Sequence, residues 1–328
     1  MVCDRPYLPS PPPLPPDLAD FEIHINRPDR SSRLWSALSP YLLGTAIVAV
    51  VFGGIFVVSG GETPRFGATG GGQDAPVTAP PIDPPSIESG EPLHRLLPEV
   101  ITDAAGPYTL IYHDYGDGPS FFDPCRPIYW VVNPLHEPPG AREQLEKAFA
   151  DVQELTGLLF VFAGETNEPW VAIRQAPNSS YPDVESDWAP VIVWYLPEGE
   201  FEDSLDSSDP DELVAGYASA APEFSRTKDR RLVTLTGDMT IGTEWITEMI
   251  AEGYPEQVWW LFLHEIGHIL GLDHVDAPSH LMHPGGEEAE WTTTLGPGDI
   301  EGFARVGAEP CLLPSEYPTR SDWVPYGP

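Results

Sequence analysis

Hydrophobic residues between positions 128 and 236 fall into short runs that predict the strands of a sheet. The runs are rich in β-branched and aromatic residues, and they are Ile128–Val132, Leu159–Phe162, Val171–Arg174, Val191–Leu196 and Leu232–Thr236. Between the first two runs, apolar residues recur at helical spacing from Leu145 to Leu155, and Gly157 follows as the stop. This order of elements predicts an α+β fold, in which helices pack on a mixed twisted sheet.

A second hydrophobic pattern lies nearer the N-terminus. Tyr41–Val58 contains no charged residue and no polar face, and it is long enough to span a bilayer as a single helix. Three arginines precede it closely: Arg27, Arg30 and Arg33. The positive-inside rule therefore places residues 1–40 in the cytoplasm and the rest of the chain outside. A signal peptide cleaved shortly after the apolar run is the alternative, but so long a preceding segment favours an uncleaved anchor.

The amino-acid composition separates the globular part of the chain from its tails and linker. Proline accounts for 40 of the 328 residues and clusters in the first part of the sequence, so the globular part is shorter than the chain. The predicted organisation is a disordered Pro-rich cytoplasmic tail (1–40), a transmembrane helix (41–58), a flexible Gly/Pro-rich linker (59–106), a folded domain (107–313) and a C-terminal tail (314–328).

The charge of the chain limits its partners. It carries 51 acidic and 16 basic residues, a formal net charge of −35. Proteins that bind nucleic acid present basic surfaces, so a nucleic-acid partner is excluded. Anionic lipid surfaces are disfavoured for the same reason. We interpret the acidity as a solubility feature and expect a monomeric ectodomain.

The clearest candidate for a functional site is the segment His264–His274, which reads His-Glu-Ile-Gly-His-Ile-Leu-Gly-Leu-Asp-His. On a helix, His264 and His268 are one turn apart on the same face, so both can bind one zinc ion. Gly271 can adopt a left-handed conformation, which ends the helix and brings His274 to the same metal. Three imidazoles leave the fourth coordination position open for water, and Glu265 is the natural general base for that water. A helix with merely buried histidines is disfavoured, because burying these groups without a metal is costly.

This motif resembles that of the metzincin zinc proteases. The family also requires a methionine turn after the third histidine; Ser279–Pro284 fits it, with Met282 as an apolar floor beneath the metal. Further segments resemble the matrixin branch, especially its short bacterial secreted or membrane-bound members: Arg126–Pro134 (first strand), Thr156–Phe162 (helix-to-strand junction) and Leu295–Ile300 (start of the last helix). The resemblance implies a metzincin-like catalytic domain with two long helices and a C-terminal helix.

The resemblance also implies a function, that of a zinc endopeptidase acting on protein or peptide substrates. We expect an extended substrate to pair with an edge strand, Leu232–Thr236, and we expect His283 and Pro284 to form a wall of the specificity pocket. With the predicted anchor, the chain becomes a membrane-tethered peptidase whose catalytic domain is extracellular. Two other hypotheses stay open: a non-catalytic adhesion or signalling ectodomain stabilised by zinc, and a zinc hydrolase of non-peptide amides or esters. Glu265 argues against the first, since a structural zinc site needs no base.

Two features depart from animal matrixins. The sequence contains no Pro-Arg-Cys-Gly-type segment that would block the zinc, and its other histidines do not match the loop that holds a second, structural zinc and calcium: His94, His113 and His136. Calcium is a candidate cofactor at the acidic run 200–212, although a solvated loop is favoured. The aspartates that would bind it are Asp203, Asp206, Asp209 and Asp211.

The predicted topology places the three cysteines in two different compartments. Cys3 lies in the cytoplasmic tail, where thiols stay reduced, whereas Cys125 and Cys311 lie outside, where disulfides persist. Because these two residues bracket the matrixin-like domain, we predict a disulfide between them. The alternatives are that Cys125 caps the zinc as an inhibitory thiolate or that both thiols are free. The short connection from Cys125 to the first strand leaves little slack for reaching the metal.

Overall fold

The computed structural model describes residues 21–24, 93–113, 118–184, 186–205, 214–284 and 294–323. The predicted transmembrane helix at 41–58 and the predicted linker up to residue 92 lie outside these ranges. Within them, no helix has the length and apolarity needed to cross a bilayer. The chain divides into two compact units, residues 1–26 with 86–328 and residues 27–85, and all described residues belong to the first.

The described residues form nine strands and five helices. The strands are β1 (Phe21–His24), β2 (Thr109–Leu110), β3 (Ser120–Phe121), β4 (Ile128–Val132), β5 (Phe160–Glu165), β6 (Val191–Leu196), β7 (Val214–Phe224), β8 (Leu232–Gly242) and β9 (Leu272–Asp273). The helices are α1 (Ala141–Thr156), α2 (Glu198–Ser204), α3 (Thr243–Glu252), α4 (Pro255–Ile269) and α5 (Pro297–Gly307).

The main sheet is mixed and mostly parallel. Its strand order is β1-β7-β8-β6-β4-β5. The pairings of β8 with β6, β6 with β4, and β4 with β5 are parallel, whereas β7 is antiparallel to β8. A short parallel pairing joins β3 to the start of β8, and β2 forms a separate antiparallel pair with β9. The prediction of a mixed sheet with packed helices is confirmed at this level.

Strand β6 is buried on both faces of the sheet. All six of its residues are buried, and successive side chains of a strand point to opposite faces. Its odd-numbered residues pack in the main core with the helices. Ile192 and Trp194 pack on the other face, against Trp170 and Tyr181. A continuous apolar run without alternation is typical of such a central parallel strand.

Helix α1 confirms the periodic pattern seen in the sequence. Leu145, Phe149 and Val152 are buried in the main core together with residues of α4, and half-buried Leu155 packs against that core. Gly157 caps it with φ +65°, and its N–H donates to the carbonyl oxygen of Gln153. A left-handed residue at this position is a common way to end a helix.

The predicted edge strand Leu232–Thr236 lies inside the sheet, which corrects the expectation that a substrate pairs with it. It is the first part of β8, and β7 pairs with it on the outer side. The sequence pattern does not predict β7, because Val214–Phe224 consists largely of small residues and contains Gly216 and Pro222, which disfavour strands. The register shifts at Pro222. The strand that lies antiparallel beside Leu232–Thr236 is therefore β7.

The expected strand Val171–Arg174 is a loop. A side chain fixes it instead of main-chain pairing: the guanidinium of Arg174 donates to the carbonyl oxygen of Pro190 (2.6 Å) and to Oε1 of Glu168 (2.7 Å). The apolar residues that suggested a strand face solvent, and Ile173 is 61% exposed.

The predicted disordered tail at 1–40 contains strand β1. Phe21 lies opposite Ala218 and His24 lies opposite Val214 in an antiparallel pairing with β7. This pairing requires residues 21–24 and the folded domain to lie in the same compartment. A single span at 41–58 would separate them, so the pairing and the span exclude each other in one molecule.

The folded part begins at Leu93, before the predicted boundary at 107. Arg95 donates to the carbonyl oxygens of Gly307 (2.8 Å) and Gly157 (3.3 Å), which lie at the C-terminal ends of α5 and α1. A cation at these ends satisfies free carbonyl groups and complements the helix dipoles. The segment predicted as the end of the linker thus ties two helices together.

The C-terminal segment is tied back to the sheet. Cys125 and Cys311 form the predicted disulfide, with their Cα atoms 5.4 Å apart. Within the predicted tail at 314–328, Tyr317 and Trp323 pack on a small core beneath the sheet. The folded domain therefore extends past residue 313.

Candidate metal centre

Helix α4 carries the first two predicted ligands. It begins with Pro255 at its first position, which suits the fixed backbone of proline, and ends at Ile269. His264 and His268 are each 1% exposed. Because they are one turn apart, their rings meet, with centroids 4.6 Å apart.

The third predicted ligand reaches the same point through a tight turn. Gly271 has φ +97°, a left-handed conformation that favours glycine. The segment after it is held by β2, and the backbone N–H of Ile111 donates to the carbonyl oxygen of Gly271 (2.8 Å). The ring of His274 then lies 5.3 Å from that of His264 and 4.8 Å from that of His268. One ligand atom from each histidine lies within 4.8 Å of the others.

Hydrogen bonds fix the tautomers of two of these rings. Nδ1 of His264 lies 2.7 Å from the carbonyl oxygen of Leu281, and Nδ1 of His268 lies 2.8 Å from that of Leu272. A carbonyl oxygen only accepts, so each Nδ1 carries the proton and each Nε2 presents a lone pair. The two Nε2 atoms are 2.9 Å apart. Two lone pairs at this distance repel unless a cation lies beside them, so the donor set fits a metal ion.

The environment keeps these imidazoles neutral. Burial and then the neighbouring His274 lower the pKa of His264 to about 3. Burial and then His264 and His274 lower the pKa of His268 well below its usual value. The neutral imidazole is the form that binds a metal, so the site is ready for an ion at physiological pH.

Glu265 follows His264 on helix α4, and its carboxylate lies next to Gly216 of strand β7. It is 0% exposed. A Cβ built on Gly216 of β7 would lie 3.1 Å from Oε1 of Glu265 and 2.7 Å from Cδ1 of Ile241. The missing side chain at Gly216 thus lets the strand approach the carboxylate closely.

The predicted methionine turn lies under helix α4. Met282 is 2% exposed, and a Cβ built on Gly267, between the two helical histidines, would lie 2.8 Å from its Sδ. The N–H of Val275 donates to the carbonyl oxygen of Met282 (2.9 Å). Since Leu281 also accepts the hydrogen bond from His264, the turn is bonded to both the ligand helix and the ligand loop.

The sequence patterns do not single out Asp299, which organises this turn. It is 2% exposed, and its Oδ2 accepts hydrogen bonds from the N–H groups of Leu281 (2.9 Å) and Gly296 (2.8 Å). The available signal is a carboxylate three residues after a helix cap, which commonly bonds back to the cap. Burial raises the pKa of Asp299, against the lowering by these backbone N–H groups.

Two other predictions stay predictions. His283 is half-buried and, after burial and His274, contributes to the low pKa of His264. Residues 285–293 lie outside the described ranges, so the pocket wall expected at His283 and Pro284 is not defined. For calcium, Asp203 is exposed on α2, while the three other aspartates lie outside the described residues: Asp206, Asp209 and Asp211.

The fold and this site define an α/β domain with a mostly parallel mixed sheet and a buried three-histidine cluster that could hold a metal ion. A comparison with models of protein families matches residues 234–306 to the matrixin peptidase family. The match begins in β8 and includes α4, the three histidines, Met282 and most of α5, about a fifth of the chain. The predicted resemblance to the matrixins and metzincins is thereby confirmed for this segment. No curated protein matches the chain significantly.

Proposed function

We propose that this chain is a zinc-dependent endopeptidase. The observation that carries the proposal is the position of Glu265: a fully buried carboxylate on the same helix as two histidines whose Nε2 atoms converge. The matrixin match supports a metallopeptidase and a protein or peptide substrate. A purely structural metal site would have no use for a base beside its ligands.

His264, His268 and His274 would hold the metal. When bound, zinc supplies Lewis-acid chemistry: it lowers the pKa of a water molecule to about 7 and polarises the scissile carbonyl group. Glu265 would act as the general base that takes a proton from the attacking water and as the general acid that returns it to the nitrogen of the leaving amine. The hydrogen bonds to Leu281 and Leu272 keep the imidazoles oriented throughout.

The substrate would lie along β7. This strand packs on Glu265 at Gly216, and its outer edge can take a further strand, since β1 pairs with it antiparallel. An extended peptide would form the same main-chain hydrogen bonds. A molecule in which β1 occupies the edge must release it before this substrate binds.

We propose further that the chain is anchored by residues 41–58, with its N-terminus in the cytoplasm and the peptidase domain outside. The uncharged run and the preceding arginines support this topology. In an inserted molecule β1 cannot reach β7, so the edge is open to substrate.

Protease treatment of intact cells tests the topology. A tag placed at the N-terminus should stay protected while a tag after residue 323 is removed. Digestion of both tags would contradict the anchor and agree with β1 pairing to β7. A mature N-terminus near Gly60 would show a cleaved signal instead.

Cleavage of a peptide library by the purified full chain tests the activity. We expect peptide cleavage that stops when a chelator removes the metal and returns when zinc is added. Cleavage that persists without metal would contradict the zinc role. Zinc binding without cleavage would favour the non-catalytic ectodomain, and hydrolysis confined to non-peptide esters or amides would favour the other hydrolase.

A further inference from the structure

Strand β2 contributes no metal ligand, yet it pairs with the segment that leads to the third candidate ligand. Within the described residues, β2 is the one strand that pairs with β9, and Leu110 lies opposite Leu272 in an antiparallel register. Strand β9 fills the space in sequence between Gly271, which turns the chain, and His274. The position of β2 is therefore coupled directly to the loop that brings His274 to the cluster.

The alternation of an antiparallel ladder explains how this pairing orients His268. Opposite residues in such a ladder alternate between pairs that exchange main-chain hydrogen bonds and pairs that do not. Ile111 and Gly271 are bonded, since the N–H of Ile111 donates to the carbonyl oxygen of Gly271 (2.8 Å). The adjacent pair, Leu110 and Leu272, is then of the unbonded kind, so the carbonyl group of Leu272 points away from β2. That carbonyl oxygen lies 2.8 Å from Nδ1 of His268, and the pairing thus presents the acceptor that orients this imidazole.

The turn at Gly271 depends on support from outside, because glycine does not fix its own conformation. Its φ is +97°, and glycine populates several backbone regions at similar energy. The bond from Ile111 holds the carbonyl oxygen of Gly271, while the N–H of Gly271 donates to the carbonyl oxygen of His268 (2.9 Å). Both bonds determine where His274 lies, three residues later.

Side chains tie the β2 segment to the main sheet. Nε2 of His113 lies 3.1 Å from Oγ of Ser120, which belongs to β3. The same oxygen accepts a hydrogen bond from Oγ1 of Thr234 (2.9 Å), a fully buried residue of β8. Leu110 packs against the main core. The segment is therefore held by the sheet on one side and holds the ligand loop on the other.

The β2 segment buries little apolar surface of its own. Thr109 is exposed, Leu110 is half-buried, and Tyr112 is 68% exposed. Hydrophobic stabilisation scales with the apolar area removed from water, so these residues add little to the core. Their hydrogen bonds lead to the ligand loop, which points to a local role at the metal centre.

We propose that β2, through the N–H of Ile111, is a positioning element that sets the affinity of the three-histidine cluster for its metal. Ile111 is not a ligand; it holds the Gly271 turn and, through the register of the ladder, presents the acceptor of His268. Groups that orient metal ligands commonly contribute about 10–100-fold to metal affinity. The proposal rests on the zinc centre of the proposed function but not on peptide cleavage.

The zinc affinity of the full chain, measured by competition with a chromophoric chelator, tests the proposal. Ile111→Pro removes the N–H that donates to Gly271, and we expect it to weaken zinc binding about tenfold or more. Tyr112→Pro makes the same change at the next residue, whose N–H points away from β9 by the alternation of the ladder. It should leave the affinity unchanged. Unchanged affinity in Ile111→Pro, or equal weakening in both variants, would overturn the proposal.

A destabilised variant separates positioning from a general loss of stability. Leu312→Ala truncates a buried residue of the small core beneath the sheet, which contains no residue of β2 or of the ligand loop. We expect this variant to lower the urea midpoint at least as much as Ile111→Pro does, with no change in zinc affinity. Zinc binding that weakens in Leu312→Ala in proportion to the lost stability would contradict the proposal.

Hydrogen exchange of the wild-type chain provides a test without substitution. Coupling between two sites is reciprocal, so zinc must stabilise the hydrogen bond of Ile111 if that bond strengthens zinc binding. We expect the amide of Ile111 to exchange about tenfold more slowly, or slower still, with zinc bound. Equal exchange with and without zinc would overturn the proposal, even if Ile111→Pro fails to fold. A wild-type chain that binds no zinc would overturn the zinc centre as well, whereas zinc binding without peptide cleavage would contradict the peptidase function alone.

Discussion

At the residue scale, each helical imidazole is oriented by a carbonyl group from a different segment. Leu281 belongs to the methionine turn and accepts from His264, and Leu272 belongs to β9 and accepts from His268. The direction of each Nε2 therefore depends on segments outside helix α4. Removing such an indirect contact commonly lowers metal affinity by about 10–100-fold.

The two helical histidines should make stability depend on pH. Their folded-state pKa values lie below the usual 6.5, at about 3 for His264. As the pH falls below about 6.5, these histidines bind protons in the unfolded chain but not in the folded chain. Their contribution to the free energy of unfolding is therefore fully present above this pH and is lost toward pH 3. Each histidine contributes a slope of up to about 1.4 kcal/mol per pH unit. Chemical denaturation of the metal-free chain between pH 7 and 5 should show this fall, and an equal slope in His268→Gln would contradict it.

Asp299 should hold the methionine turn in place. Asp299→Ala leaves the buried N–H of Leu281 without its acceptor, so we expect a loss of about 1–3 kcal/mol in the free energy of unfolding. Asp229→Ala removes an exposed carboxylate and should change it by less than about 0.5 kcal/mol. Urea denaturation measures both variants. Equal stability of the two would contradict the role of Asp299.

The ligands are predictable from the sequence because their geometry is local. One helical turn separates His264 from His268, and a glycine-permitted turn brings His274 back, so spacing alone gives the cluster. Asp299 is not predictable in this way, because its partner Leu281 lies 18 residues away and is reached only after the fold brings α5 to the turn.

At the element scale, the sheet shows where sequence patterns mislead. Residues 191–196 form a continuous apolar run, and the strand they predict is observed with the same bounds. Val214–Phe224 forms a longer strand, yet its small residues give no periodic signal, because close packing on α4 and Glu265 selects small side chains there. Missing this strand makes Leu232–Thr236 appear to be an edge. The error arises because packing in the folded protein restricts the size of the side chains in β7, and this restriction leaves no hydrophobic pattern in the sequence.

Close contact between α5 and α1 gives an element-scale prediction. A Cβ on Gly307 would overlap the carbonyl oxygen of Thr156, so Gly307→Ala should lower the free energy of unfolding by about 2–3 kcal/mol. At Gly199, in helix α2, an added Cβ would meet no atom within 4 Å. Gly199→Ala should therefore be neutral or stabilise by up to about 1 kcal/mol. Urea denaturation compares the two variants, and a loss of stability in Gly199→Ala as large as that in Gly307→Ala would contradict this packing.

At the scale of the whole molecule, the disulfide closes almost the entire domain. Cys125 and Cys311 are 186 residues apart in sequence, so on chain-entropy grounds their bond stabilises the domain by about 5 kcal/mol. Cys125→Ala with Cys311→Ala should lower the thermal midpoint strongly and make it insensitive to reductant. Cys3→Ser, in the N-terminal segment, should leave it unchanged. A wild-type chain whose midpoint does not respond to reductant would contradict the bond.

The central claim is that Glu265 is the base of a zinc peptidase, and turnover measured together with zinc content tests it most directly. Glu265→Gln keeps the shape of the side chain but cannot accept a proton, whereas Glu256→Gln makes the same change at an exposed position in the first turn of the same helix. We expect both variants to bind one equivalent of zinc, with kcat reduced about 10³-fold or more in Glu265→Gln only. Near wild-type kcat in zinc-loaded Glu265→Gln would contradict the account.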